Sequence, residues 1–224
     1  GSCLGAKELQ AGAIQAQRFQ RTRIRSNRRL SYEEAQEMLD GKGSLGDGVD
    51  SALRTLDDLA RQLRRRRRER GSLDLDMPES RVVLDQDGVP LDIQKVERLE
   101  SHRLIEDWMI AANEAVARAC EEWGLPALFR VNEPPVRERA EELGEFLLRL
   151  GHRLPRRKTL APADLQHLLD TVRGRPEEQL VSTVVLRSLQ RARYDAENLG
   201  HFGLASQAYL HFTSPIRRYP DLVV

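Results

Sequence analysis

The sequence predicts a helix-rich α+β domain, and three observations carry that reading. Apolar residues recur at helical spacing in several segments, most clearly Leu53, Leu56, Leu59 and Leu63. Short apolar or alternating runs bounded by turn residues mark a few antiparallel strands, two of them flanking the Asp87-Gly88 pair. Proline near the first turn and glycine after the last punctuate the later helices, as at Pro162, Gly151 and Gly174. With 224 residues the chain can bury a core without disulfides. Its two cysteines, Cys3 and Cys120, are far apart and form no C-x-x-C pair, so zinc and disulfide frameworks have no support and a reducing cytoplasm is the expected compartment.

The elements follow in order. Residues 1–13 are expected to be an irregular or extraneous start. Phe19 to Ser26 alternates, with Arg21, Arg23 and Arg25 on one face, which predicts a strand with a basic side. Ser31 and Glu34 fit a capping box that opens a short helix ending at Gly41. Residues 41 to 50 are rich in Gly, Asp and Ser and read as a loop. The leucine-patterned helix then ends in the run Arg64 to Arg68 before Gly71. That run suits a solvated helix C-terminus, with RNA contact or nuclear localisation as alternatives. Val82 to Leu84 and Val89 to Ile93 predict a hairpin around residues 85–88. Asp85 and Asp87 do not make a calcium loop, because the twelfth position is Val96 instead of Glu. Helices are expected over Ser101 to Trp123, Val136 to Leu150, Pro162 to Val172 and Pro176 to Tyr194, with a strand at Leu128 to Asn132.

Net charge excludes little, since 36 Lys and Arg balance 35 Asp and Glu. The charges are segregated: six arginines and no acid lie between Ile14 and Leu30. Arginine pairs with phosphate and stacks on bases, so the bias leans towards nucleic acid. No apolar run reaches the roughly 18 residues of a membrane span.

Two segments are candidates for chemistry. In the helix from Ser101, Leu104, Ile105, Trp108, Ala112, Ala115, Val116 and Ala119 form an apolar face, while Asp107, Glu114 and Arg118 mark the opposite side. Glu106 and Asn113, seven residues apart, share one margin of that face and are either satisfied by protein or aimed at a ligand. Near the C-terminus, Ser214-Pro215 reads as an N-cap with proline at the first helical position, so an anion site is expected there, with Arg217 and Arg218 in the first turn. Pro220 should kink or shorten that helix. Tyr209, His211, Phe212 and Tyr219 are candidates to stack on bases. A salt-bridged or solvated arginine pair is the structural alternative.

His201-Phe-Gly-Leu204 and Tyr209-x-His-Phe-Thr-Ser-Pro-Ile-Arg-Arg-Tyr-Pro-Asp-Leu222 resemble the signature of the ribonuclease II/ribonuclease R family, closest to its ribonuclease R branch. Ser101-His-Arg-Leu-Ile-Glu-Asp-Trp-Met-Ile-Ala-Ala-Asn-Glu114 matches a second block, and shorter matches extend the resemblance over roughly Ile14 to Val224. The resemblance implies part of an RNB-type catalytic domain over 1–224, its strand, helix and hairpin portion at 14–100 and its helical portion at 101–224. It implies a 3′-to-5′ exoribonuclease that hydrolyses single-stranded RNA stepwise to nucleoside monophosphates, with two Mg²⁺ or Mn²⁺ ions. Arg217 is then the catalytic arginine, Glu106 holds the 3′-terminal nucleotide, and Tyr209, Ser214 and Arg218 are RNA-binding candidates. The family's metal-binding aspartates are expected upstream of this chain and its second late acid beyond Val224. No metal ligand is therefore assigned here, and the isolated chain is expected to be inactive. The base-clamping phenylalanine that some members carry near Asp74 and Leu75 is absent. Single-stranded RNA is the expected partner, without DNA or membrane, and a monomer the expected state. The alternative is a non-catalytic RNA-binding or regulatory relic of the same fold, and beyond it a purely structural helical domain.

Overall fold

The computed structural model describes residues 2–10, 13–75, 79–96, 98–155 and 159–224. Helices dominate, and the strands form short antiparallel pairs, as the sequence predicts. β1 (Ser2–Gln10) pairs with β2 (Ala13–Arg21), Ser2 opposite Arg21. Two expectations change here. The start forms a strand because β2 offers it a full edge of backbone partners. The basic strand stops at Arg21, so Arg23 and Arg25 lie in exposed, irregular chain.

α1 (Tyr32–Leu39) opens with the predicted capping box: Ser31 accepts from the Glu34 N–H at 3.1 Å, and the Glu34 carboxylate accepts from the Ser31 N–H at 2.7 Å. α2 (Asp47–Glu69) begins inside the expected loop, with Asp47 and Asp50 in its first turn against the helix dipole. It ends at Gly71, whose φ of +92° only glycine adopts easily. β3 (Glu79–Leu84) and β4 (Pro90–Val96) make the predicted hairpin, closed by the Asp85 carboxylate on the N–H groups of Asp87 and Val89.

α3 (Glu100–Glu122) is the hub. Leu104, Ala115, Val116 and Ala119 are buried as predicted, although Ile105 is exposed. The opposite side departs from expectation. Asp107 and Glu114, read as a solvent face, are buried, Asp107 to 2% exposure. The cause is the arginine run of α2. Arg64 donates to Glu100 and Asp107 at 2.8 Å each, Arg67 pairs with Asp107, and Arg70 donates to Glu114 at 2.8 Å. Glu100, Asp107 and Glu114 recur every seven residues on α3; Arg64, Arg67 and Arg70 recur every three along the end of α2 and its C-cap. The two sets form a ladder in which both series ascend together. Arg68 continues the stitching to Asp170. Within the run, Arg64 and Arg67 are therefore structural, while Arg65, Arg66 and Arg68 stay exposed as a solvated helix end requires.

The remaining elements build two apolar clusters. α4 (Arg137–Arg149), α5 (Pro162–Val172) and α6 (Glu178–Ser188) bury Leu143, Leu147, Leu165, Leu169, Val172, Val181 and Val185 together with Phe202. Each such side chain contributes about 1.5–3 kcal/mol. The second cluster joins Val116, Ala117 and Cys120 of α3 to Phe129 and Val131 of β5 (Phe129–Val131) and to Ala208 and Leu210. Phe19 of β2 packs against it and meets the ring of Trp123 edge-on. The last predicted helix is shorter than expected. Leu189 turns extended, Asn132 captures the Gln190 carbonyl, and Arg193–Asp195 forms β6 on the edge of β5. Unpaired strand edge outweighs the local helical pattern there. A short 3₁₀ turn, Phe202–Leu204, then leads to the final segment and to α7 (Tyr219–Val223).

Gly71 tests this packing. A Cβ there would lie 2.5 Å from the Ala163 backbone nitrogen, in a backbone conformation that adds about 1–3 kcal/mol of strain for other residues. Gly71→Ala should lower the thermal midpoint by several degrees, and an unchanged midpoint would contradict the close approach of α2 and α5. The ladder is tested by Asp107→Ala. Breaking one partner of a buried pair costs roughly 3–5 kcal/mol. Urea unfolding reads the loss, and a value below about 1 kcal/mol would mark the pair as an ordinary exposed one.

Candidate functional site

The signature segment is seated by α3 and β5. The Arg130 N–H donates to the Tyr209 carbonyl at 2.8 Å, which lays residues 208–210 along the edge of β5. Asn113 of α3 grips the segment from below: its Nδ2 donates to the Tyr209 hydroxyl at 3.0 Å, and its Oδ1 accepts from the Phe212 N–H at 2.9 Å. Asn113 is thus satisfied by protein and takes no ligand. Tyr209 is 7% exposed, and burial raises its hydroxyl pKa. The structure places its ring in the interior.

Beyond Phe212 the chain makes a turn, not the helix read from Ser214-Pro215. The Ser214 carbonyl accepts from the N–H groups of Arg217 and Arg218 at 3.2 and 3.1 Å, and α7 starts only after Arg218. Pro220 fits the first turn of α7, where its missing N–H costs nothing. The helix N-terminus expected at Ser214 does not form: the N–H groups of Arg217 and Arg218 bond back to the Ser214 carbonyl, and the Asp221 carboxylate takes the Ser214 N–H at 2.7 Å. The same oxygen, Oδ2, accepts from Arg218 Nη2 at 2.6 Å, and Arg218 also reaches the Thr213 hydroxyl at 3.4 Å. Arg217 is different. It is exposed and its guanidinium makes no hydrogen bond or ion pair among the described residues.

Glu106 lies on α3 two helical turns, about 10 Å, from the Asn113 grip. It is half-exposed, paired with Arg98, and borders a cavity of about 180 Å³ that Arg64, Arg103, Arg173 and Asp74 also line. Asp74 faces Arg98, Arg103 and Arg173, each at 3.8 Å. Tyr209, Ser214, Arg217 and Arg218 therefore share one segment, with Glu106 farther along the helix that supports it. Among the described residues no group of three or more His, Cys, Asp or Glu could hold a metal ion.

The RNB domain matches residues 7–224.

The chain belongs to the RNB family.

Ribonuclease R of Aquifex aeolicus is 44% identical over 218 residues, 96% of this chain and 31% of that protein. The structure of Mycoplasma genitalium RNase R in complex with ribose-methylated single-stranded RNA superposes with a TM-score of 0.91 at 29% identity, covering 95% of this chain and 34% of that one. Yeast Ssd1, described as a pseudonuclease, shares the fold at a TM-score of 0.70 and 20% identity. The chain thus spans about a third of the length of its relatives. Its RNB domain carries the helix-rich α+β architecture of RNase R.

Several features of this RNB domain escaped the sequence reading. Asp221 stood in the sequence only as one position of the family motif, yet its side chain is fully buried. The seven-residue repeat of acids on α3, set against the three-residue repeat of arginines on α2, was the available signal for the ladder. Two histidines flank Tyr209. His201 accepts from the Leu204 N–H through Nδ1, and His211 shares a 2.7 Å hydrogen bond with the Tyr194 hydroxyl. Burial, reinforced by neighbouring arginines, depresses both to about 4.

Both imidazoles are therefore neutral in the fold, while the unfolded chain binds protons below about pH 6.5. The folded state is favoured in full above that value and loses stability as pH falls towards 4. Urea midpoints measured at pH 7.5 and 5.5 should decline with acidification, and less so in a His201→Asn/His211→Gln variant. Equal declines in both proteins would contradict the assignment.

Proposed function

We propose that this chain is the arginine-bearing part of the catalytic domain of a 3′-to-5′ exoribonuclease, which hydrolyses single-stranded RNA stepwise to nucleoside monophosphates. The observation that carries the reading is Arg217: an exposed guanidinium, unpaired among the described residues, on a turn whose other cation, Arg218, is already neutralised by Asp221. A planar guanidinium suits two phosphate oxygens at once. When water attacks the terminal phosphodiester, negative charge grows on the non-bridging oxygens, and a preorganised cation placed there lowers the barrier. Family membership and the RNA-bound relative support the choice of substrate.

In this reading Glu106 sits by the 3′-terminal nucleotide, where Arg98 fixes its carboxylate. Tyr209 contributes by holding the segment in place, since its hydroxyl is committed to Asn113. Ser214 and Arg218 shape the turn that meets the RNA backbone. Mg²⁺ or Mn²⁺ belongs to the complete enzyme, held by acids outside this chain. The enzyme works as a cytoplasmic monomer, and this segment alone is inactive.

Arg217→Ala in the full-length protein tests the reading with a 5′-labelled single-stranded RNA and Mg²⁺. Loss of one charge-stabilising donor costs about 10²–10³-fold in kcat. Progressive shortening from the 3′ end by the wild type, reduced by that factor in the variant, is the expected result. Wild-type rates in the variant would remove Arg217 from the chemistry. RNA binding without any shortening by the wild type would favour the non-catalytic reading.

A further inference from the structure

We infer that Asp221 is a positioning residue for Arg217, which it serves by closing the turn at both ends and by occupying Arg218. This inference rests on the reading of Arg217 given above.

The side chain of Asp221 is completely buried. An ionised carboxylate survives in such a place only when it is paired and hydrogen-bonded. Asp221 meets that demand with a single oxygen. Its Oδ2 accepts from the Ser214 N–H at 2.7 Å and from Arg218 Nη2 at 2.6 Å, while its Oδ1 is buried without a partner. One atom therefore ties the first residue of the turn to the last. Within the turn, the Ser214 carbonyl takes the N–H groups of Arg217 and Arg218. The loop is closed from outside by a charge and from inside by the backbone.

Arg217 is the residue that this closure leaves exposed, without a counter-ion among the described residues. Two adjacent arginines could in principle exchange roles, each competing for the same acid or the same phosphate. The buried acid removes that ambiguity. It holds Arg218 beside the Thr213 hydroxyl and leaves Arg217 as the cation on offer. Removing Asp221 would release the Ser214 N–H, free Arg218 and let the turn widen. A displacement of about 1 Å at a reacting centre costs on the order of 10²-fold in rate. The penalty should fall on kcat, since other contacts along the RNA still hold the substrate.

The test is a double-mutant cycle in the full-length protein, with shortening of a 5′-labelled single-stranded RNA in Mg²⁺ as the readout. Asp221→Ala should lower kcat about 10–100-fold and change KM less than about threefold. In an Arg217→Ala background the same substitution should cost less than about threefold more, because its effect runs through Arg217. Asp221→Asn keeps an oxygen for the Ser214 N–H but removes the charge that neutralises Arg218, so its kcat should fall between wild type and Asp221→Ala and it should lose less stability than the alanine variant. It carries the test if the alanine variant fails to fold. Additive losses, or an Asp221→Asn protein with wild-type kcat, overturn the inference while leaving Arg217 in place, provided Arg217→Ala itself is impaired. If Arg217→Ala is not impaired, the functional reading falls first and the inference with it.

Discussion

Two carboxylates buried on α3, Asp107 and Glu114, are the constraint on which the rest of this structure depends. Burying an acid without compensation is prohibitive, and burial pushes the Asp107 carboxyl up even with two arginines beside it. The compensation comes from Arg64, Arg67 and Arg70, which must therefore lie against α3 and nowhere else. That fixes where α2 sits and brings Gly71 to its close contact with Ala163 of α5. The opposite side of the same helix is apolar at Val116, Ala117 and Cys120, and it anchors β5 and the signature segment. α3 thus joins a charged interface to an apolar one, and Asn113 between them sets the height of Phe212.

The same principle recurs at smaller scale beside Arg217. A buried acid selects which of two neighbouring arginines is structural, so the other is available to a ligand. In both places a cluster of like charges, which sequence alone presents as undifferentiated, is sorted by buried carboxylates. On the proposed function, in which the protein handles a polyanion, this sorting gains a functional meaning. In that reading, arginines held by acids shape the scaffold, while Arg217 is left for phosphate.

Most of the fold was legible because its signals are local. The capping box at Ser31 and Glu34, the turn at residues 85–88 and Pro162 at a helix start each depend on neighbours a few residues away. The misread elements depend on distant partners. β1 needed the edge of β2, and β6 replaced the end of a predicted helix because β5 required a partner. Asp107 and Glu114 read as a solvent face because periodicity reports polarity, while burial depends on what another helix brings. At the site, the family motif drew attention to Arg217 and Glu106. It could not show that Ser214 opens a turn instead of a helix, since that depends on Asp221 reaching back across seven residues.

The central claim is that Arg217 meets the RNA phosphate while Arg218 stays on Asp221. The most direct measurement is a structure of the full-length protein with a single-stranded RNA that resists cleavage. The Arg217 guanidinium is expected on a phosphate oxygen near the 3′ end, with the Arg218–Asp221 pair intact. An RNA-bound structure in which Arg218 leaves Asp221 to take the phosphate, or in which Arg217 contacts no phosphate, would contradict it.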